Sequence, residues 1–274
     1  MVDWPNGIKC PVVLGFDVDG VSGAINRNPN MKKLPSMMSM REYGPSIATP
    51  RILDLLDDKD LKATFYVPGF VAETHEDLVY NIHSRGHEIG HHGYMHEPPS
   101  TLSKESESHV LDRGIEILEA IIGEKPKGYR SPSWELSEHS LELLEQKGFE
   151  YDSSLMGNDI PYTVPAGSGA LVEIPVHWEL DDHPFFNYSP SLGQTNVTAS
   201  PSQVFEIWSA AFEELYQYHR SYILTMHPWI IGRPGRLQML AKLIDYIKES
   251  DGAYFMTAYD LVKLHRQLDE PIVE

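Results

Sequence analysis

The feature that most constrains this chain is an alternation, kept up along its whole length, of short apolar runs with longer amphipathic stretches. Runs that are apolar throughout, with no polar side, are those of parallel strands covered on both faces. Eight are predicted as strands: residues 12–17, 63–67, 87–90, 128–130, 149–153, 171–176, 222–227 and 253–257. Helix signals fall between them. Thr49-Pro50 sets a capping hydroxyl before a first-turn proline, and Ile52, Leu53, Leu55 and Leu56 form the buried stripe. Thr74 and Asp77 read as the cap of a helix through Ser84. Ser200-Pro201-Ser202-Gln203 is a capping box ahead of a wide apolar face, and Gly148 stops a helix over 137–147. Eight strands with about seven helices predict an α/β fold, a distorted (β/α) barrel of about seven to eight strands, with a doubly wound open sheet as the alternative. No linker or repeat divides the chain, so residues 1–274 read as a single catalytic domain.

Charge narrows the partners. Lys and Arg number 22 against 40 Asp and Glu, a net −18, which repels nucleic acid and anionic membrane surfaces. The one cysteine, Cys10, excludes an intrachain disulfide. No apolar run approaches a membrane span, and residues 1–7 lack a basic signal region, so the expected location is the cytoplasm. Three connections are too long for turns: 21–48, 155–170 and 179–200. The first carries Met31, Met37, Met38 and Met40, read with equal weight as substrate contacts or as a patch covered by a neighbouring subunit in a homo-oligomer.

Four constellations can carry chemistry. Asp17-Val18-Asp19 ends the first strand, and strand alternation sends both carboxylates to one face. His87-Glu88-Ile89-Gly90-His91 satisfies the H-E-x-x-H zinc pattern. That pattern needs a helix, and Gly86, Gly90 and Gly93 each cost about 1 kcal/mol in one, so it is rejected. His92 and His96 remain, placed so that a tight turn could bring both imidazoles to one point. Arg130 and His227 each end another predicted strand. Taken singly, each group is what a solvated turn or a surface histidine looks like. All four falling at strand ends, where barrel enzymes keep their sites, is the stronger observation. One carboxylate and two histidines make a three-ligand catalytic zinc site, leaving an aspartate, an arginine and a histidine for proton transfer.

In their order, Asp17-Val18-Asp19, His92-Gly93-Tyr94-Met95-His96, Arg130-Ser131-Pro132 and Leu224-Thr225-Met226-His227-Pro228 resemble the polysaccharide deacetylase superfamily, the NodB-homology or carbohydrate esterase family four proteins. The resemblance implies a single divalent metal, most readily zinc, on Asp19, His92 and His96. It makes Asp17 the general base, Arg130 its support and His227 the general acid. Val18 between the aspartates, Gly93 after the first histidine and Glu97 after the second depart from the polysaccharide-acting members. The pattern is more similar to the cytoplasmic subgroup of peptidoglycan-deacetylase-like proteins, allantoinase-like proteins and cyclic imide hydrolases. The implied reaction is metal-assisted hydrolysis of a non-peptide amide, on a small cyclic imide or ring amide first and an N-acetylated amino sugar next. Tyr43, Trp134 and Trp178 are the expected pocket walls, with ordinary packing an equal reading for each. Asp181-Asp182 reads as solvated loop charge before it reads as a support for His227. The alternative from another class is a catalytically silent barrel that binds saccharide or serves as an oligomeric scaffold.

Overall fold

A computed structural model describes residues 1–195 and 197–269. Among these residues nine strands form one sheet: β1 (Cys10–Asp17), β2 (Thr64–Val67), β3 (Glu88–His91), β4 (Gly128–Tyr129), β5 (Tyr151–Asp152), β6 (Tyr162–Ala166), β7 (Gly169–Glu173), β8 (Tyr222–Met226) and β9 (Ala253–Met256). Their order is β6-β7-β5-β4-β3-β2-β1-β8, with β9 pairing β1 beside β2. Every pairing is parallel except the β6–β7 hairpin. The sheet curls as a distorted barrel that no strand pair closes between β6 and β8 among the described residues.

Among the described residues twelve α-helices accompany it: α1 (Ser22–Arg27), α2 (Pro35–Tyr43), α3 (Thr49–Asp58), α4 (Gly69–Thr74), α5 (Glu76–Ser84), α6 (Lys104–Ile122), α7 (Ser140–Gln146), α8 (Asp182–Phe186), α9 (Pro201–Gln217), α10 (Pro228–Ile231), α11 (Pro234–Lys248) and α12 (Ala258–Asp269). All eight residues of β1 are buried, as a strand covered on both faces must be. Val12, Leu14 and Phe16 face the helical layer with Ile52, Leu53, Trp208 and Leu240. Val13 faces the barrel interior with Tyr66, Tyr151 and Ile223. Alternation then puts Gly15 and Asp17 on the interior side. That interior is partly polar: the Tyr151 hydroxyl donates to Glu88 at 2.7 Å, and the Arg130 guanidinium lies 4.0 Å from the Tyr66 ring centroid.

Some local expectations give way. The capping box at Ser200 and Gln203 is formed, and Gly148 ends its helix at φ +81°. Thr49 caps nothing: a π turn (Gly44–Ala48) already joins α2 to α3, so its hydroxyl donates back to the Gly44 carbonyl at 3.0 Å. The Thr74 hydroxyl likewise donates to the Phe70 carbonyl, and His75 occupies the cap position of α5. The connection over 21–48 is mostly helical, cut into short pieces at Pro29, Pro35 and Pro45. Met31 and Met37 are buried by the chain's own side chains, which covers that much of the methionine patch from within.

Candidate active site

The barrel's carboxyl rim gathers the expected groups. Asp17 leaves the interior face of β1, where Arg130 Nη1 donates to its Oδ1 at 2.9 Å. Arg130 is fully buried and also donates to the Ser153 carbonyl at 3.2 Å and the Ser153 hydroxyl at 2.9 Å. Two of its donors are thus anchored on Ser153 while the third fixes the carboxylate in place. Gly15 makes this possible, because a Cβ there would stand 2.9 Å from Arg130 Nη1.

Asp19 lies just past β1. Its Oδ1 is 3.5 Å from His92 Nε2 and 3.6 Å from His96 Nε2. His92 Nδ1 meets the Arg130 carbonyl at 2.7 Å; with the proton on Nδ1 the Nε2 lone pair is turned toward Asp19. His96 arrives on a tight turn, not a helix. Gly93 has φ +72° and His96 itself φ +60°, while the Glu97 carboxylate accepts from the amides of Tyr94 and Met95 at 3.1 and 2.7 Å. Glu97 thus does by hydrogen bonding what a rigid residue would do by its ring.

Asp19 Oδ1 is buried without a hydrogen-bond partner, and one ligand atom from each of Asp19, His92 and His96 lies within 4.8 Å of the others. An orphaned carboxylate oxygen facing two imidazole nitrogens is a donor set for a divalent cation, so these residues fit a metal. Burial pushes the Asp19 carboxyl up, but the imidazoles of His96, His92 and His227 outweigh it and hold it well below the usual carboxylate range. Burial pushes the His96 imidazole down to about 4 against the opposing pull of Asp19. His87 and His91 are not part of this cluster. His87 accepts from the Ala63 amide, and His91 sits between the Leu111 carbonyl and the Gly93 amide.

His227 follows β8. Its Nδ1 donates to Asp182 Oδ1 at 2.7 Å, and its backbone amide donates to Asp182 Oδ2 at 3.0 Å. Burial favours the neutral ring, but Asp182, Asp181 and Asp19 overcome it and raise His227 to about 10. The reading of Asp181-Asp182 as solvated charge is thereby corrected, since both are buried. An isolated bridge from Asp181 to Thr225 of β8 carries them to His227. Asp181, Asp182 and His227 also lie within 4.8 Å of one another, but the proton shared with Asp182 already satisfies His227 Nδ1.

A pocket of about 80 Å³ opens over the rim, with Trp134, Trp178, His183, Arg41 and Leu192 among its walls. Trp134 is set by two successive left-handed residues, Ser133 at φ +61° and Trp134 at +58°, and packs on Trp178 with ring centroids 4.3 Å apart. The structure does not bring Tyr43 there. Its hydroxyl donates to the Gly232 carbonyl at 3.0 Å and its ring lies under Arg233. His183, Arg27 and Arg41 line the pocket without having been singled out in the sequence. They stand in stretches with no strand-end motif to mark them.

The polysaccharide deacetylase family model matches residues 32–151, a span that holds His92, His96 and Arg130. The peptidoglycan deacetylase of Helicobacter pylori is 31% identical over 272 residues, which cover 90% of this chain and 92% of the relative. The chain belongs to the polysaccharide deacetylase family. A crystal structure from Mycobacterium smegmatis, assigned to the polysaccharide deacetylases, superposes with a TM-score of 0.95 at 37% identity, over 98% of this chain and 94% of that one. Puue allantoinase shares the fold, with a TM-score of 0.85 at 23% identity over 96% of this chain and 92% of its own.

Proposed function

We propose that this chain is a zinc-dependent hydrolase of a non-peptide amide, acting on a small cyclic imide or ring amide. One observation carries the chemistry: beside the Asp19–His92–His96 cluster, one proton-transfer group is held by Arg130 at 2.9 Å and another by Asp182 at 2.7 Å. Asp19, His92 and His96 would hold the cation, and two imidazoles with one carboxylate suit zinc. When bound, it supplies Lewis-acid polarisation of the amide carbonyl and eases ionisation of the attacking water. Asp17 takes the proton of that water as the new C–O bond forms. His227 gives its proton to the leaving nitrogen as the C–N bond breaks. The pair is preorganised, because neither side chain can turn away without breaking a buried, charge-assisted hydrogen bond.

The pocket supports a compact substrate. About 80 Å³ is well below the roughly 300–1,000 Å³ typical of sites for drug-sized ligands, and Trp134 and Trp178 wall it. N-deacetylation of an amino sugar is the second reading, favoured by the match to a peptidoglycan deacetylase over nearly the full length of both chains. A hydrolysis panel with the zinc-loaded protein tests both. Ring opening of succinimide, hydantoin or allantoin is expected. Acetate release from N-acetylglucosamine oligomers with no ring opening would reverse the order, and no turnover of either kind would reject the hydrolase in favour of a silent barrel.

A further inference from the structure

Arg41, on α2, is only 5% exposed, yet it lines the pocket with Asp19, His96 and His183. Its guanidinium lies over the Trp229 ring, 3.7 Å from the centroid. Its Nε has no hydrogen-bond partner, and Arg41 makes no hydrogen bond or ion pair among the described residues. The other buried arginine, Arg130, makes three hydrogen bonds. A buried Nε donor with no acceptor is costly unless something else supplies one. Burial lowers Arg41 only to about 10, so it is charged at neutral pH. Arg27, exposed at the end of α1, lines the same pocket and likewise makes no ion pair among the described residues. His183 is pushed down to about 3, by burial first and then by His227 and Arg41, and brings no charge of its own.

We infer that the substrate carries a carboxylate, received by Arg41 inside the pocket with Arg27 at its mouth. The inference rests on the hydrolase reading above and adds the class of molecule that reading leaves open. A planar carboxylate matches the guanidinium fork with two parallel hydrogen bonds. Asp17, Asp19 and Asp181 also line the pocket and penalise a dianion, so one negative charge against one buried guanidinium is the balance that fits.

The test uses matched pairs that differ by a carboxylate, on the zinc-loaded full-length protein. Dihydrouracil with dihydroorotate serves the ring-amide reading, and N-acetylglucosamine with N-acetylmuramic acid serves the amino-sugar reading. In whichever pair turns over, kcat/KM for the acid should exceed that for its neutral partner at least tenfold. Arg41→Gln should lower that ratio tenfold or more, and Arg41→Lys should restore part of it. Preference for the neutral partner, or a ratio unchanged in Arg41→Gln, overturns the inference. The latter outcome would leave Arg41 a purely structural partner of Trp229. If neither pair turns over, the hydrolase reading is decided by the hydrolysis panel above, and tryptophan fluorescence still decides the carboxylate site. Tighter binding of the acids, lost in Arg41→Gln, upholds it; equal binding of acid and neutral partner overturns it. Should Arg41→Gln not fold, Arg27→Gln is read instead, with a severalfold weakening of the acid expected and no change refuting.

Discussion

Gly15→Ala adds one methyl group to the middle of β1 and tests how rigidly Asp17 is held. In an open strand this change is mild. Here the new Cβ would lie 2.9 Å from Arg130 Nη1 and 3.3 Å from Nη2. The guanidinium has nowhere to go, being tied to Asp17 at 2.9 Å, to the Ser153 hydroxyl at 2.9 Å and to the Ser153 carbonyl at 3.2 Å, with Tyr66 4.0 Å away. Overpacking costs about 1–3 kcal/mol. Weakening one hydrogen bond between charged groups adds about 1.5–3 kcal/mol when it is lost outright. A destabilisation of roughly 2–5 kcal/mol follows, which at about 2–4 °C per kcal/mol lowers Tm by roughly 5–20 °C. Turnover should fall further than stability explains, because a shift of about 1 Å in a catalytic group can cost about 10²-fold. Thermal unfolding and kcat/KM are measured for Gly15→Ala, Arg130→Met and the double variant. With Met at 130 the fork is gone, and the added methyl should then cost under about 1 kcal/mol, within the range of tolerated core swaps. The reasoning is refuted if Gly15→Ala matches the wild type in Tm and kcat/KM, or if its cost is the same in the Arg130→Met background.

Further outcomes follow from the same geometry. Asp19→Asn should abolish stoichiometric zinc in elemental analysis, whereas Asp17→Asn should keep the metal and lose at least about 10²-fold in kcat; the opposite pattern would exchange their roles. Asp182→Asn should leave zinc content intact and lower kcat by about 10²-fold, since His227 loses the group that orients it; unchanged kcat would refute the dyad. Asp152 and Glu173 face each other in the β5–β7 register, both raised by burial, with Asp152 at about 6. Carboxyls raised on folding contribute stability below the ordinary carboxylate range, near about 4, and lose it as pH climbs through the folded values. Denaturant unfolding from pH 4 to 8 should therefore show the wild type losing stability relative to Glu173→Gln, and a relative gain would contradict this.

The sequence carried the strands well where burial is two-sided. β1 and β8 read as unbroken apolar runs because helices cover one face and the barrel interior the other. β6 escaped notice because it is a half-exposed hairpin arm, Tyr162 to Ala166, split by Pro165 and set beyond the parallel strands. Asp19, His92, His96, Arg130 and His227 were legible because each follows a strand at the barrel's functional rim. Asp182 was not. Whether a loop carboxylate is solvated or buried is decided by a partner 45 residues away, and local composition holds no trace of that pairing. Arg41 was hidden for a related reason. On a short helix it looks like any surface arginine, and only the packing of Trp229 and the pocket turns it inward.

The gap between β6 and β8 has a consequence for how such a protein diverges. Asp17, Asp19, His92, Arg130 and His227 are anchored in or just past β1, β3, β4 and β8, which lie on the paired part of the sheet. Trp178, His183 and Leu192 instead come from the stretch between β7 and β8, which among the described residues meets the sheet only at the isolated Asp181–Thr225 bridge. Insertions or substitutions there that spare Asp181 and Asp182 can reshape what the pocket admits while leaving the reacting groups in register. Reaction and selectivity are thus inherited separately, and a change of diet need not disturb the engine.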